Sequence, residues 1–319
     1  MPKSILEVVH LTKHFLINGK RLQAINNVSF NVKPGEVLGL VGESGCGKST
    51  LAKLMVRLIK PTSGHIQFDG TDINQLNSHA LKAWRQRMQM IFQNPTSALN
   101  PKMTIEKILA EPLDIHKLAT GSARLTRLQE LLDLVGLNSS LLKRLPEELS
   151  GGQRQRVGIA RALAVQPDFL ICDESLSSLD VSTQAQIVQL LKQLQHELQL
   201  TFLFISHDLS LVSHIADRVA VMYLGKLMEL SSSQELYKNP LHPYTQGLLS
   251  AIPLPNPKAE RQRNRVVLKG EIPSPFNPPT GCPFHTRCPL AAPICRQIAP
   301  EWEEINSGHY VACHFKKLS

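Results

Sequence analysis

Residues 42–50 read GESGCGKST, a complete G-x-x-x-x-G-K-[ST] match, and they constrain the chain more than any other stretch. The five residues before them, Val37, Leu38, Gly39, Leu40 and Val41, make an apolar run of strand length, and residues 51–58 after them have helix-forming composition. Strand, glycine turn and helix together are the setting in which this pattern acquires meaning. Gly42, Gly45 and Gly47 let the backbone bend until its N–H groups converge on phosphate oxygens, and the next helix adds a positive dipole end. In that reading Glu43, Ser44, Cys46 and Thr50 belong to the cradle, Lys48 reaches β- and γ-phosphates, and the Ser49 hydroxyl ligates Mg²⁺.

At 319 residues the chain can bury one large core, or a main domain with a smaller appendage. A charged fraction of 19% and a hydrophobic fraction of 42% belong to an ordinary globular chain rather than a disordered one. No apolar run approaches the ~18 residues that a membrane span requires. Residues 1–10 lack a charged segment followed by a long apolar block, so no signal peptide is expected. The expectation is a cytosolic protein that would reach a membrane by docking. The net charge of +9 is compatible with an anionic membrane surface, a nucleic acid or an acidic partner; the absence of a long basic block favours a mixed solvated surface.

The opening third reads as β-rich around one βα unit. Residues 7–11 alternate as a strand, residues 24–32 follow the turn signal Asn18-Gly19, and Pro34-Gly35 leads into the apolar run before the glycine loop. Residues 61–64 predict a turn, and residues 65–68 a strand closing on Asp69-Gly70. From about residue 94 to 159 helix formers dominate, with Leu128, Leu131, Leu132 and Val135 in helical register before Gly136, which predicts a helical insertion. Residues 169–172 and 201–205 are continuous apolar runs suited to buried parallel strands, and Ile187, Leu190, Leu191, Leu194 and Leu198 between them fall on one helix face. That rhythm returns the chain to the sheet of the glycine loop, an α/β class. After about residue 233, prolines at 240, 243, 253, 255, 257, 273, 275, 278 and 279 exclude long helices and favour extended or turn segments.

Two further stations carry chemistry. The run of residues 169–172 ends in Asp173 and Glu174. A strand ending in carboxylates puts Asp173 at the carboxyl edge of the sheet, where it can hold Mg²⁺ through water, and lets Glu174 polarise a water attacking the γ-phosphate. Ser150, Gly151 and Gly152 precede a helical stretch starting near Gln153 and form a second helix-terminal anion cradle. One chain needs only one cradle per ATP.

With the glycine loop and the Asp173-Glu174 strand end, the pentapeptide Leu149-Ser150-Gly151-Gly152-Gln153 resembles the signature sequence in the ATPase subunits of ABC transporters. The resemblance implies a P-loop NTPase (RecA-like) α/β core with an antiparallel β subdomain, a helical subdomain inserted at about residues 94–159 and a small Pro/Cys-rich C-terminal extension. It implies an ATPase domain over residues 1–233 and the extension over 234–319. It also casts Gln93, after the apolar Met90-Ile91-Phe92, as the glutamine that contacts Mg²⁺ or the lytic water. Ser178-Leu179-Asp180 resembles the D-loop, with Asp180 its acidic residue, and His207 the switch histidine on the γ-phosphate; Phe15 sits where the family stacks adenine, against the alternative of ordinary core. The second cradle, Ser150 to Gln153, would then serve the ATP of a facing subunit. After Glu174 this chain reads Ser175-Leu176-Ser177-Ser178-Leu179-Asp180, without the usual proline and with Ser178 for alanine; no reactive group is lost, so a competent site is expected.

Within that family the chain is most similar to the dipeptide/oligopeptide importer branch, as the second ATPase of the pair. The residues that carry this are Gln93-Asn94-Pro95, Ser97-Ala98-Leu99-Asn100-Pro101, Asn239-Pro240-Leu241-His242-Pro243-Tyr244-Thr245, Glu271-Ile272-Pro273-Ser274-Pro275, Asn277-Pro278-Pro279 and Gly281-Cys282. The branch implies import of di- or oligopeptides, with nickel or another small solute as the alternative cargo and a non-transport ABC ATPase as the alternative role. Its implied partners are a second ATPase subunit (paralogue or self), two transmembrane permease subunits and an extracytoplasmic solute-binding protein, on the cytoplasmic face of the membrane; no nucleic acid is expected. Cys282, Cys288, Cys295 and Cys313 crowd the last forty residues, which in a cytosolic chain suggests metal more than disulfides. Their spacing does not select the metal. The resemblance implies a [4Fe–4S] cluster, with zinc or unligated thiols as the alternatives; His285, His309 and His314 lie near enough in sequence to substitute as ligands, against the more ordinary reading of each as structural.

Overall fold

The computed structural model describes residues 4–93, 98–176, 179–253 and 268–316. Asn94, Pro95, Ser97, Ser177, Ser178, Pro255 and Pro257, all used in the sequence reading, lie outside the described residues. The chain divides into two units, residues 1–74 with 205–319, and residues 75–204.

The first unit opens on a long hairpin, β1 (Leu6–Ile17) against β2 (Lys20–Val32). Asn18 and Gly19, at φ of 50° and 75°, make the two-residue left-handed turn whose twist matches the flanking strands. With β4 (Ser63–Phe68) and β5 (Thr71–Asp72) these strands form an antiparallel sheet of order β2-β1-β4-β5. Leu6, Val8, Leu11, Ile66 and Phe68 are buried, and the residues between them along β4 turn outward. A second sheet contains β3 (Val37–Val41), β9 (Arg218–Tyr223) and β10 (Lys226–Ser232). All five residues of β3 are buried, and β3 pairs parallel with β9, as its uninterrupted apolar run requires. Helix α1 (Lys48–Met55) follows the glycine loop; it starts three residues before the expected stretch and ends three before its limit, where Arg57 turns left-handed at φ 51°.

The end of the chain joins this second sheet. Strand β12 (His309–Val311) pairs antiparallel with β10, and β11 (Glu303–Asn306) pairs with β12, giving the order β11-β12-β10-β9-β3. The prolines keep the helices before it short: Ser233–Lys238 and Pro243–Ser250, the latter with Pro243 in its first turn, where no N–H is missed. Glu229 of β10 is fully buried and accepts hydrogen bonds from the N–H of Leu241 (2.7 Å) and of His242 (2.9 Å), and pairs with His309 Nε2 (2.8 Å). One carboxylate thus ties two segments of the extension, residues 241–242 and His309, to the sheet.

The second unit contains α2 (Ser78–Arg87), β6 (Met88–Ile91), α3 (Ile105–His116), α4 (Gly121–Leu134), α5 (Gly151–Leu163), β7 (Phe169–Asp173) and α6 (Val181–Leu198). Strands β6 and β7 run parallel. Leu128, Leu131, Leu132 and Val135 are fully buried, where their periodicity put them. Arg156 donates to Val135 O (2.6 Å) and Arg161 to Ala98 O (2.6 Å), so α5 fastens neighbouring loops through its arginines. Of the face expected on α6, Ile187, Leu190, Leu191 and Leu194 are buried, whereas Leu198 is exposed because the helix ends there on a left-handed Gln199. Strand β8 (Thr201–Ser206) runs from the second unit into the first. Among the described residues no helix is long and apolar enough to cross a membrane.

Candidate functional site

In the first unit, Gly42, Gly45 and Gly47 have φ of 153°, 79° and 112°, so the loop uses its glycines where side-chained residues rarely go. Space matters as much as angle. A Cβ on Gly42 would stand 2.2 Å from Met222 O, and one on Gly47 2.5 Å from Ala24 O. The loop is therefore pressed against β9 and β2, with its amide side left for a ligand. Lys48 is almost fully buried, its ammonium donating to Gly42 O (2.8 Å) and Glu43 O (3.2 Å), which holds the cation inside the curl of the loop. Ser49 and Thr50 are half-buried in the first turn of α1, and Ser44 is exposed at the apex. A concave set of first-turn amides, a buried cation and a hydroxyl fits a phosphate chain with its magnesium ion.

Residue 43 is held from the extension. Arg287 donates to both Glu43 carboxylate oxygens, at 2.6 and 3.0 Å, and Tyr244 Oη accepts the Glu43 N–H at 3.0 Å. Tyr244 packs with Tyr223 and Phe284, ring centroids 4.8 and 5.2 Å away, and all three are fully buried. Sequence reasoning missed Arg287; its only signal is adjacency to Cys288, and 244 residues separate it from Glu43. The Glu43 carboxylate holds the Arg287 guanidinium above its ordinary pKa.

Phe15 is half-buried on β1, with Lys13 Nζ over its ring, 4.9 Å from the centroid. His207 follows β8 as an exposed residue between Ser206 and Asp208. Asp208 caps the next helix, accepting from Ser210 N (2.8 Å) and Leu211 N (3.4 Å), which fixes the turn that carries the histidine.

In the second unit, Asp173 is the buried last residue of β7, and its charge together with burial pushes up the thiol pKa of Cys172 beside it, burial being the larger cause. Glu174 has φ 42°, a left-handed conformation that costs a side-chained residue about 1–3 kcal/mol and is maintained by its surroundings. Gln93 Nε2 donates to Glu174 Oε2 at 2.8 Å, which brings together two residues 81 positions apart. The signature segment starts a helix two residues earlier than expected. Ser150 is the N-cap of α5: its Oγ accepts Gln153 N (3.2 Å), and its own N–H donates to Gln153 Oε1 (2.9 Å). This reciprocal pair was present in the sequence as Ser-x-x-Gln. It leaves the amides of Gly151 and Gly152 in the first turn, where no helical carbonyl reaches them. A Cβ on Gly152 would come 2.8 Å from Thr183 Cγ2, so the segment lies against the start of α6. Asp180 caps α6 by accepting from Thr183 N (2.9 Å), Thr183 Oγ1 (2.7 Å) and Ser182 Oγ (2.6 Å), and these bonds, led by that of Ser182, hold its carboxyl well below the usual range.

The four cysteines are a different case. Cys282, Cys295 and Cys313 are buried and Cys288 is half-buried, with Cys282 N donating to Cys295 O at 2.8 Å. Burial, with a smaller contribution from the other three cysteines, pushes the Cys282 thiol up to about 11; burial also raises Cys288 and Cys313. Yet among the described residues no three His, Cys, Asp or Glu side chains are arranged to hold a metal ion. The histidines are engaged elsewhere: His309 on Glu229, His285 Nδ1 on Cys282 O (2.8 Å) and His314 Nε2 on Ile298 O (2.9 Å).

Comparison with known proteins agrees with the geometry. The ABC transporter family profile matches residues 25–177, and the profile of the oligopeptide/dipeptide transporter C-terminal region matches residues 228–295. The oligopeptide transport ATP-binding protein AppF of Bacillus subtilis (strain 168) is 53% identical over 320 residues, covering 98% of this chain and 97% of AppF. The ATP-binding cassette MJ0796, solved as a dimer in a post-hydrolysis state bound to ADP and Pi, superposes with a TM-score of 0.66 at 31% identity, covering 72% of this chain and 98% of that one. For cbiO1 of Clostridium perfringens, part of the transporter complex cbiONQ, the TM-score is 0.66 at 28% identity, covering 74% of this chain and 91% of that one.

Proposed function

The chain belongs to the ABC transporter family as one of its ATP-binding subunits, and from that premise we propose how its residues share the work of hydrolysis. It is the ATP-hydrolysing subunit of an oligopeptide importer, and the two matching regions, residues 25–177 and 228–295, support both halves of that statement. The ATPase domain takes residues 1–233 and the extension residues 234–319.

On the first unit Lys48 and the amides of the glycine loop, except that of Glu43, which donates to Tyr244, take the triphosphate, Ser49 ligates Mg²⁺, and His207 donates to the γ-phosphate. Phe15 stacks on adenine, a contact of ~1–3 kcal/mol. On the second unit Glu174 polarises the attacking water and takes its proton as the new P–O bond forms and the bond from the γ-phosphorus to the β–γ bridging oxygen breaks, releasing ADP and phosphate, while Gln93 fixes the carboxylate. Asp173 and Gln93 join Ser49 as the residues that would hold Mg²⁺. When bound there, the ion neutralises charge on the phosphate oxygens. The observation that carries the assignment of Glu174 is its left-handed backbone combined with the 2.8 Å bond from Gln93.

Ser150, Gly151, Gly152, Gln153 and Asp180 act on the nucleotide of a second ATPase subunit, a copy or a paralogue, in a head-to-tail pair. The dimeric cassette bound to ADP and Pi, 31% identical to this chain, supports that reading. The pair works with two permease subunits and an extracytoplasmic binding protein, docked on the cytoplasmic face of the membrane. A [4Fe–4S] cluster or zinc on Cys282, Cys288, Cys295 and Cys313 is the remaining part of the reading. Its support is the crowding of the four cysteines in the sequence and the bond from Cys282 N to Cys295 O at 2.8 Å; among the described residues the side chains do not form a metal-holding group, so no step is routed through one. Iron, sulfide and zinc analysis after anaerobic purification tests it, and a folded, metal-free protein would remove it.

The experiment for the function is uptake of a labelled oligopeptide by cells that carry the chain with its permease. Glu174→Gln should abolish uptake and, with ATP, trap a pair detectable by light scattering. Undiminished uptake in that variant would overturn the proposal.

A further inference from the structure

An acidic residue inside an anion cradle is a problem that the extension solves. Glu43 is the second residue of the glycine loop, and a free carboxylate there would repel the phosphates that the loop is shaped to hold. In the structure it is not free. Arg287, its side chain only 6% exposed, grips both oxygens in a bidentate pair. Tyr244 takes the Glu43 N–H, so neither the side chain nor the amide of residue 43 can swing into the curl of the loop. The two clamps come from separate segments of the extension, and both stand on the buried Tyr223, Tyr244 and Phe284 cluster, with Arg287 also over the Tyr223 ring (5.8 Å). A salt bridge that merely fastened the extension could have used any surface carboxylate. This one uses the acid whose freedom would harm ATP binding.

We propose that Arg287, assisted by Tyr244, is a positioning residue for ATP binding: it neutralises Glu43 and holds it away from the phosphate cradle. The extension is on this account a working part of the nucleotide site. The inference rests on the reading of residues 42–50 as the ATP site.

The test measures ATP affinity by calorimetry in the full-length chain carrying Glu174→Gln, so that hydrolysis does not interfere, and KM and kcat in the wild-type background with the permease present. Arg287→Gln should weaken ATP binding about tenfold and raise KM alike, with kcat at saturating ATP changed less than twofold. The defect should shrink at high salt, where the freed carboxylate is screened. Adding Glu43→Gln to Arg287→Gln should bring the affinity back to within about threefold of wild type, because the repelling charge is gone. Arg287→Lys, which keeps the charge and loses the fork, should fall between, and it decides the matter by the same ratio should Arg287→Gln fail to fold. Affinity within twofold of wild type in the first variant, or an equal defect in single and double variants, would overturn the proposal. Lys48→Ala separates the two readings: normal ATP binding there would sink the assignment of the loop itself.

Discussion

Replacing Glu229 by leucine removes a carboxylate of similar bulk from a site with no solvent access. Three buried partners lose their acceptor at once: the amides of Leu241 and His242 and the Nε2 of His309. Each stranded buried donor costs about 1–3 kcal/mol, and leucine recovers a little by apolar packing. The net loss comes to about 4 kcal/mol, a large share of the 5–15 kcal/mol that holds a typical domain. Because all three donors belong to the extension, the loss should appear as local opening there, with the second unit still folded. At about 1.4 kcal/mol per decade, the amides of residues 241 and 242 should exchange with deuterium some 10³-fold faster. Hydrogen-exchange mass spectrometry on peptides spanning residues 236–250, with peptides from β7 as internal control, reads this directly. Glu229→Gln keeps a carbonyl acceptor and should show a smaller change. Acceleration below tenfold in the leucine variant, or equal acceleration in β7, would refute the claim that this carboxylate latches the extension.

Three further outcomes can be checked. Glu174→Gln should lower ATP turnover by ~10²–10⁴ while leaving ATP binding intact, and wild-type turnover would remove the residue from the chemistry. Gly42→Ala should abolish ATP binding, since its Cβ would meet Met222 O at 2.2 Å; a circular dichroism spectrum like wild type would show that the damage is confined to the loop. His242 is fully buried and desolvation, partly opposed by the charge of Glu229, lowers its pKa to about 4 from 6.5. The unfolded chain therefore binds the proton first: the stabilisation is complete above pH 6.5 and is lost as pH falls toward 4, by about 3 kcal/mol in all. Urea midpoints that stay flat across that window, or fall equally in His242→Asn, would contradict it.

What could be read from the sequence is what depends on nearby residues. The glycine loop needs backbone angles that only its own residues supply, and Gly42, Gly45 and Gly47 occupy them. The buried faces of α4 and most of α6 follow from spacing alone, and the miss at Leu198 comes from a helix ending on Gln199 rather than from a wrong period. The helix at the signature segment was placed two residues late because its glycines were read as loop, although Ser150 and Gln153 carried the capping pair. What escaped is non-local. No pattern in residues 303–311 announces a partner in β10, some 80 residues earlier, and none in Arg287 points to Glu43. The crowding of the cysteines was legible in sequence, and among the described residues their side chains form no metal-holding group.

The late strands β11 and β12 also decide what this sheet can meet. Without them the backbone of β10 would present a row of bare donors and acceptors on that side, an invitation to any passing extended chain. With them the margin is a four-residue strand, too short to template another and lined by Glu304 and the Glu303–Lys316 ion pair. Contacts between this margin and a neighbouring molecule must therefore be made through side chains.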